Sequence, residues 1–251
     1  MKARGMKFTT VVAVDVQHAE ELRLVWPTWR RHRPELLASP LLLICDGAIP
    51  LIQWERRLDF VDHSRRQLVG WEMPGVSQRE KMLTALVLAV ARHVATPWYL
   101  KLDTDTMAAE PGQWVQPGWF ELDEAGRLPV FVSQPWGYTK PADAIERLDE
   151  WGDRIPSLKE FPRLNLRAPP GWSRVKSRRI ISWCFFGNSA WTQEVASYCP
   201  GRLPVASQDT FLWYCAARSK QHFRVVRMTS VGWRHIHRRR ALDAACREAL
   251  E

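Results

Sequence analysis

Apolar and polar positions along the first hundred residues predict strands that alternate with helices. Residues 9–16 and 41–47 are short apolar runs that end in an acid and a turn, as buried strands do. The segment 19–32 between them has the spacing of an amphipathic helix. A longer helical pattern over residues 77–95 stops at Thr96-Pro97, and a third strand-like run starts at Trp98.

This order of elements predicts an α/β fold. Strands joined by helices form a mostly parallel, Rossmann-like sheet with the helices on its faces. Further strand-like runs at residues 129–134, 180–188 and 223–228 predict a smaller mixed portion downstream.

The third strand carries the most informative chemistry. Its residues 98–102 end in Asp103 and Asp105, which are one residue apart. Side chains two apart on a strand point to the same side, so both carboxylates can converge on one divalent cation, Mn²⁺ or Mg²⁺. Open α/β sheets bind ligands at this carboxyl edge. A solvated turn with two acids is the alternative interpretation.

The succession of helix, short break, strand and Asp-x-Asp (DxD) motif resembles the nucleotide-sugar glycosyltransferases of the GT-A fold, particularly the family-2-like enzymes. The resemblance implies one GT-A domain over residues 1–251. Residues 1–110 would be its nucleotide-sugar-binding half and residues 111–251 its acceptor-binding half. The implied activity is metal-dependent transfer, of the hexosyltransferase type, from a nucleotide-diphosphate sugar to a hydroxyl group.

The resemblance also implies roles for the residues that bind the donor. Asp105 would hold the cation directly, and Asp103 would contact the ribose, the metal or its waters. Asp46, at the end of the second strand, would contact the base or ribose. Arg79 and Lys81, at the start of the helix before the motif, are candidates for further donor contacts, and surface charges at a helix start are the alternative.

Two candidates for the chemistry lie further along the chain. An inverting transfer needs a carboxylate that takes the proton of the acceptor hydroxyl, and Asp209, before a helix-like run, is our candidate base. Helix capping is its alternative role. The resemblance also implies that a histidine near the C-terminus completes the metal shell, and His235 or His237 would do so, with His235 favoured and the other contacting phosphate. The alternative places both in a basic surface run.

Positive charge is concentrated downstream. Residues 161–242 contain fifteen Lys and Arg against two acids, a net charge of +13 in a chain whose total is +9. This indicates an anionic acceptor, such as a hydroxylated base in DNA, a phospholipid-linked carrier or an acidic glycan. Fourteen Trp residues could supply stacking platforms for sugars or bases, although packing is the commoner role of Trp. Solubility is the alternative reason for the charge.

Other features limit the class of protein. No apolar run approaches eighteen residues and the N-terminus lacks a signal-peptide core, so we expect a cytoplasmic protein, with peripheral membrane contact possible. Five Cys without CxxC spacing indicate reduced, buried thiols. A sugar nucleotidyltransferase normally has a glycine-rich loop after its first strand, whereas residues 14–18 of this chain contain no glycine. A non-catalytic nucleic-acid-binding module explains the charge but not the acids at strand ends.

Overall fold

The structure is a computed structural model that describes residues 7–71, 78–112, 114–139, 177–197, 212, 216, 223–226 and 231–251. Within these ranges, side chains are described except at 78–85, 117, 134–139, 177–182, 223 and 225.

The described strands form one large sheet and one small ribbon. In chain order the strands are β1 Phe8–Val14, β2 Leu41–Asp46, β3 Arg66–Trp71, β4 Trp98–Leu102, β5 Thr106–Ala108, β6 Phe131–Thr139, β7 Ser177–Asn188, β8 Phe223–Val225 and β9 Trp233–His235. Seven of them pair in the order β3-β2-β1-β4-β7-β6-β8, and β5 pairs with β9.

The large sheet has a parallel and a mixed part. Strands β3, β2, β1 and β4 are parallel to one another, β7 is antiparallel to both β4 and β6, and β8 is parallel to β6. The predicted α/β class, with a mostly parallel sheet and a mixed downstream part, is therefore confirmed. The division into two halves at residue 110 stays a prediction.

Helices cover both faces of this sheet. They are α1 Ala19–His32, α2 Pro34–Ala38, α3 Leu51–Arg57, α4 Gln78–His93, α5 Ser189–Ser197 and α6 Arg239–Leu250, with a 3₁₀ turn at Pro117–Phe120. Helices α4 and α5 pack together on one face, and α1 and α6 pack together on the other. None of the helices in the described ranges is both long and apolar enough to cross a membrane.

Strand β1 has a continuous apolar run from Val11 to Val14 because both of its faces are covered. Val11 belongs to the core under α4, and its neighbour Val12 belongs to the core under α1. Neither side chain is accessible to solvent. A strand buried on both sides shows a continuous apolar run instead of alternation, which is the pattern read from the sequence.

Tryptophan and cysteine are largely core residues where the structure describes them. Nine of the fourteen Trp side chains are buried: Trp26, Trp29, Trp54, Trp98, Trp114, Trp119, Trp183, Trp191 and Trp233. The side chains of Trp136, Trp151, Trp172 and Trp213 lie outside the described residues. The expectation of buried, reduced thiols is met at Cys45, Cys184 and Cys246, and burial raises the pKa of the Cys246 thiol to about 11.

Candidate metal centre

The DxD residues lie in a tight turn between β4 and β5. Strand β4 ends at Leu102, and the backbone N–H of Thr106 donates to the carbonyl of Asp103 over 3.1 Å. The expectation that strand alternation aligns Asp103 and Asp105 was therefore wrong in its geometry. The turn places them, and the N–H of Asp103 anchors it by donating to the carbonyl of Trp183 on β7 at 2.9 Å.

The small ribbon brings the C-terminal histidines to this turn. Strand β5 is antiparallel to β9, with Thr106 opposite His235 and Ala108 opposite Trp233. One residue beyond the ribbon, the N–H of Ile236 donates to the carbonyl of Asp105 at 3.1 Å. The backbone therefore fixes His235 beside the acidic turn.

Three side chains converge where the ribbon meets the turn. The Nε2 atom of His235 lies 2.8 Å from Oδ1 of Asp105, and Nδ1 of His237 lies 3.3 Å from Oδ2 of the same carboxylate. The three ligand atoms lie within 4.8 Å of one another. Oδ2 of Asp103 is 3.8 Å from Nε2 of His235. Imidazole and carboxylate together suit a divalent ion such as Mn²⁺, so the donor set fits a metal.

The environment of Asp105 keeps its carboxylate ionised. Burial alone raises the pKa of Asp105, but the hydrogen bond from His235 and the charges of His235 and His237 outweigh burial and lower it below its usual value. The His235 ring stacks on the indole of Trp183, with 5.4 Å between ring centroids and 12° between planes. The site thus holds a charged acid next to an oriented imidazole.

Two hydrogen bonds connect the DxD turn to helix α1. The Thr104 hydroxyl donates to Oε2 of Glu21 over 2.8 Å, and the indole N–H of Trp29 donates to the carbonyl of Thr106 over 2.7 Å. Both partners lie on α1, which packs against β5. Their contacts hold the turn in place between two short strands.

A buried arginine, which the sequence did not single out, connects the end of α1 to the segments that follow β5 and precede β9. Arg33 is fully buried and donates through Nη1 to the carbonyls of His32 and Glu110, at 2.6 and 2.7 Å. Its Nη2 donates to the carbonyl of Val231 at 2.7 Å, and its guanidinium lies over the Trp233 ring. Burial lowers the pKa of Arg33.

The loop after β1 adds a histidine that the sequence also did not indicate. Oδ1 of Asp15 accepts hydrogen bonds from the backbone N–H groups of Gln17 and His18 and lies 2.7 Å from Nδ1 of His18. The hydrogen bond that the His18 ring donates to Asp15 raises the pKa of His18, burial opposes this, and the charges of Asp15, Glu21 and Asp105 add to it. His18 follows the end of β1, which is parallel to β4, so it lies at the same edge of the sheet as the DxD turn.

The remaining predicted residues are placed less completely. Asp46 ends β2, is half-buried and accepts the N–H of Ala48 at 3.1 Å, so it lies at the same sheet edge as the DxD turn. Arg79 and Lys81 lie in the first turn of α4, and their side chains are outside the described residues. Asp209 also lies outside the described residues.

The chain matches no known family model and no curated protein sequence. Solved structures with a similar backbone are glycosyltransferases. The galactosyltransferase LgtC, in complex with donor and acceptor sugar analogues, has 10% identity, covers 86% of this chain and 73% of its own, and has a TM-score of 0.49. Mouse xyloside xylosyltransferase 1 has 11% identity, coverages of 89% and 86%, and a TM-score of 0.47.

The glycosyltransferase GlyE of Streptococcus pneumoniae TIGR4 has 11% identity and a TM-score of 0.45, and the match covers 88% of this chain and 46% of that protein. Because these TM-scores lie below 0.5, the similarities carry no weight for function, which has to be inferred from the site.

The pair formed by Asp15 and His18 can be tested by titration. Because the Asp15 carboxylate stabilises the imidazolium, the pKa of His18 lies above 6.5, and D15N is expected to lower it. The measurement is an NMR pH titration of the His18 ring protons in both proteins. Equal His18 pKa values in wild type and variant would contradict the pairing. The ring of His93, on α4, serves as the internal control.

The close fit of Gly232 against Arg33 predicts a specific instability. Gly232 has φ of +77°, and a Cβ there would lie 2.7 Å from Nη2 of Arg33. G232A is therefore expected to lower the free energy of unfolding by about 2–4 kcal/mol, from backbone strain and overpacking together. Urea unfolding gives the value.

The control for this variant is G126A. Gly126 has φ of +73°, and no atom lies within 4 Å of the position that a Cβ would take, so alanine there costs only the strain, about 1–2 kcal/mol. Equal losses in the two variants would mean that the contact with Arg33 is unimportant.

Proposed function

We propose that this protein is a metal-dependent glycosyltransferase that moves a sugar from a nucleotide-diphosphate donor to a hydroxyl group. The observation that carries the proposal is the convergence of Asp105, His235 and His237 at the carboxyl edge of the parallel strands. Ligands of open α/β sheets bind at this edge. The family resemblance of the DxD segment supports the same activity.

Some side chains at this edge would bind the cation, and others would bind the donor. Asp105, His235 and His237 would hold the cation, with Asp103 beside them or on the ribose. A bound divalent cation supplies a Lewis acid that neutralises charge on the departing diphosphate. Because the pKa of Asp105 is lowered, its carboxylate is ionised and ready to bind a cation at neutral pH.

Neighbouring strand ends would recognise the rest of the donor. Asp46 ends β2, next to β1 in the sheet, and would contact the base or ribose. The first turn of α4 would contribute Arg79 and Lys81 to the donor. His18 follows β1 at the same edge, and its raised pKa favours the imidazolium form, which would contact the anionic donor.

Transfer would proceed with inversion, and Asp209 would act as general base. Its carboxylate would take the proton from the acceptor hydroxyl as that oxygen attacks the anomeric carbon. The acceptor would be anionic. Exposed Arg234, Arg238 and Arg240, beside the site histidines in sequence, support this, and a hydroxylated base in DNA, a lipid-linked carrier and an acidic glycan are the candidates.

The first test is a thermal-shift panel of UDP-, GDP-, dTDP- and CMP-sugars with Mn²⁺, with Mg²⁺ and with EDTA. We expect one nucleotide to raise the melting temperature of the wild type only when metal is present, because ligand bound to the native state stabilises it. D105A is expected to lose that increase, since it lacks the central carboxylate.

The matched control is D59A, which removes an exposed carboxylate that pairs with Arg23. It should respond like the wild type. Absence of any metal-dependent shift in the wild type would contradict the glycosyltransferase proposal and favour a nucleic-acid-binding role.

The role of Asp209 can be separated from helix capping by D209N. Asn caps a helix about as well as Asp, so stability and donor binding should be kept. If the carboxylate is the base, transfer should fall by at least about 100-fold. The measurement is transfer of labelled sugar to hydroxymethylated DNA, a lipid-linked carrier and an acidic glycan. Full activity in D209N would show that another group takes the proton.

A further inference from the structure

A buried lysine lies next to the metal centre. Lys101, in β4, is 1% exposed and sits between Leu100 and Leu102, both fully buried. Its ammonium forms an ion pair with Oδ1 of Asp103, two residues on. A charged group is stable in such a place only when it is paired and hydrogen-bonded, and Asp103 provides that partner for Lys101.

This ion pair orients Asp103 toward the metal centre. One oxygen of its carboxylate, Oδ1, is held by Lys101, and the other, Oδ2, lies 3.8 Å from Nε2 of His235. The Asp103 side chain is 35% exposed, so it lies between the buried ammonium and the open site. Oδ2 of Asp103 thus faces the metal centre, while Oδ1 is bound to Lys101 inside the protein.

The ammonium also changes the charge of the site. Asp103 and Asp105 would bring two negative charges to a cluster whose other members are imidazoles. Lys101 offsets one of those charges from within a low-dielectric environment, where screening by solvent is weak. A cation arriving at the cluster therefore meets less attraction than two free carboxylates would give.

We propose that Lys101 is a positioning residue of the metal centre that holds one oxygen of Asp103 and weakens the binding of divalent cations, because it occupies that oxygen and offsets its negative charge. This proposal rests on the proposed metal site. It goes further in assigning a role to a residue that is not one of the cation ligands Asp105, His235 and His237. Lys101 acts on the site through the Asp103 carboxylate and through its charge.

A role in packing alone gives a different expectation. Replacing a lysine that only fills space would change the free energy of unfolding by the same amount with and without cation. Removing a counter-charge should instead destabilise the metal-free protein and make cation binding tighter, because Asp103 then keeps its full negative charge.

The experiment is a titration of the full chain with Mn²⁺ alone, by isothermal calorimetry. K101M has a side chain of similar length without charge, and we expect it to bind Mn²⁺ at least about fivefold more tightly than the wild type. D103N should bind Mn²⁺ more weakly, and K101M should have a smaller effect in the D103N background, since coupled residues give non-additive effects.

The matched control is R66M. It removes the positive charge of Arg66, on β3, from an ion pair with Glu55 on α3. Strand β3 is an edge strand separated from β4 by β2 and β1, so R66M should leave Mn²⁺ affinity unchanged. K101Q, polar and neutral, provides a second variant if K101M does not fold.

Two negative outcomes are distinct. If the wild type binds Mn²⁺ and a folded Lys101 variant binds it with equal or lower affinity, the role of Lys101 is overturned while the metal site stands. If the wild type binds neither Mn²⁺ nor Mg²⁺, the metal centre itself is contradicted.

Discussion

The candidate site depends on the pairing of two three-residue strands. Thr106 on β5 faces His235 on β9, and this contact joins the DxD turn to a segment near the C-terminus. Two strands this short are not stable by themselves in water. The ribbon persists because its apolar side chains, Met107 and Trp233 among them, are buried in the core shared with α1 and α6. The geometry of the metal ligands is therefore set by packing in that core.

Several of the tryptophans pack around the ribbon formed by β5 and β9. The Trp233 ring meets Trp29 and Trp114 edge to face, and the guanidinium of Arg33 lies over Trp114 and Trp233. Aromatic rings provide large buried areas with few rotatable bonds, which suits a scaffold that must hold a backbone in place. Trp183 has a more direct part, since its indole supports the His235 ring. These four tryptophans, Trp29, Trp114, Trp183 and Trp233, thus support the site from within the core.

The sequence predicted α1, α4 and six of the described strands, and it did not identify β3, β5, β9 or the helices α2, α3, α5 and α6. Helix α1 and strand β4 were predicted at their observed bounds because their apolar spacing is clear. Strands β5 and β9 have three residues each, which is too short to show the alternation of apolar and polar side chains typical of a strand. Strand β3 begins with Arg66 and Gln67, so its apolar pattern is weak.

The DxD acids and the histidine pair were recognisable because metal ligands are limited to a few residue types. The same logic could not find Arg33 or Lys101. A basic residue normally lies at the surface, and only the tertiary fold reveals that these two are buried.

Part of the positive charge of residues 161–242 also has a structural role. Arg224, counted in the basic segment, donates to the carbonyls of Gly118 and Glu121, so part of that segment's charge stabilises the fold. The exposed arginines around His235 and His237 are a different group, because they lie on β9, directly before α6 and in its first turn, next to the two histidines in the chain. A cation and those arginines would attract the same anion, so cation binding and anion binding at this segment would reinforce each other.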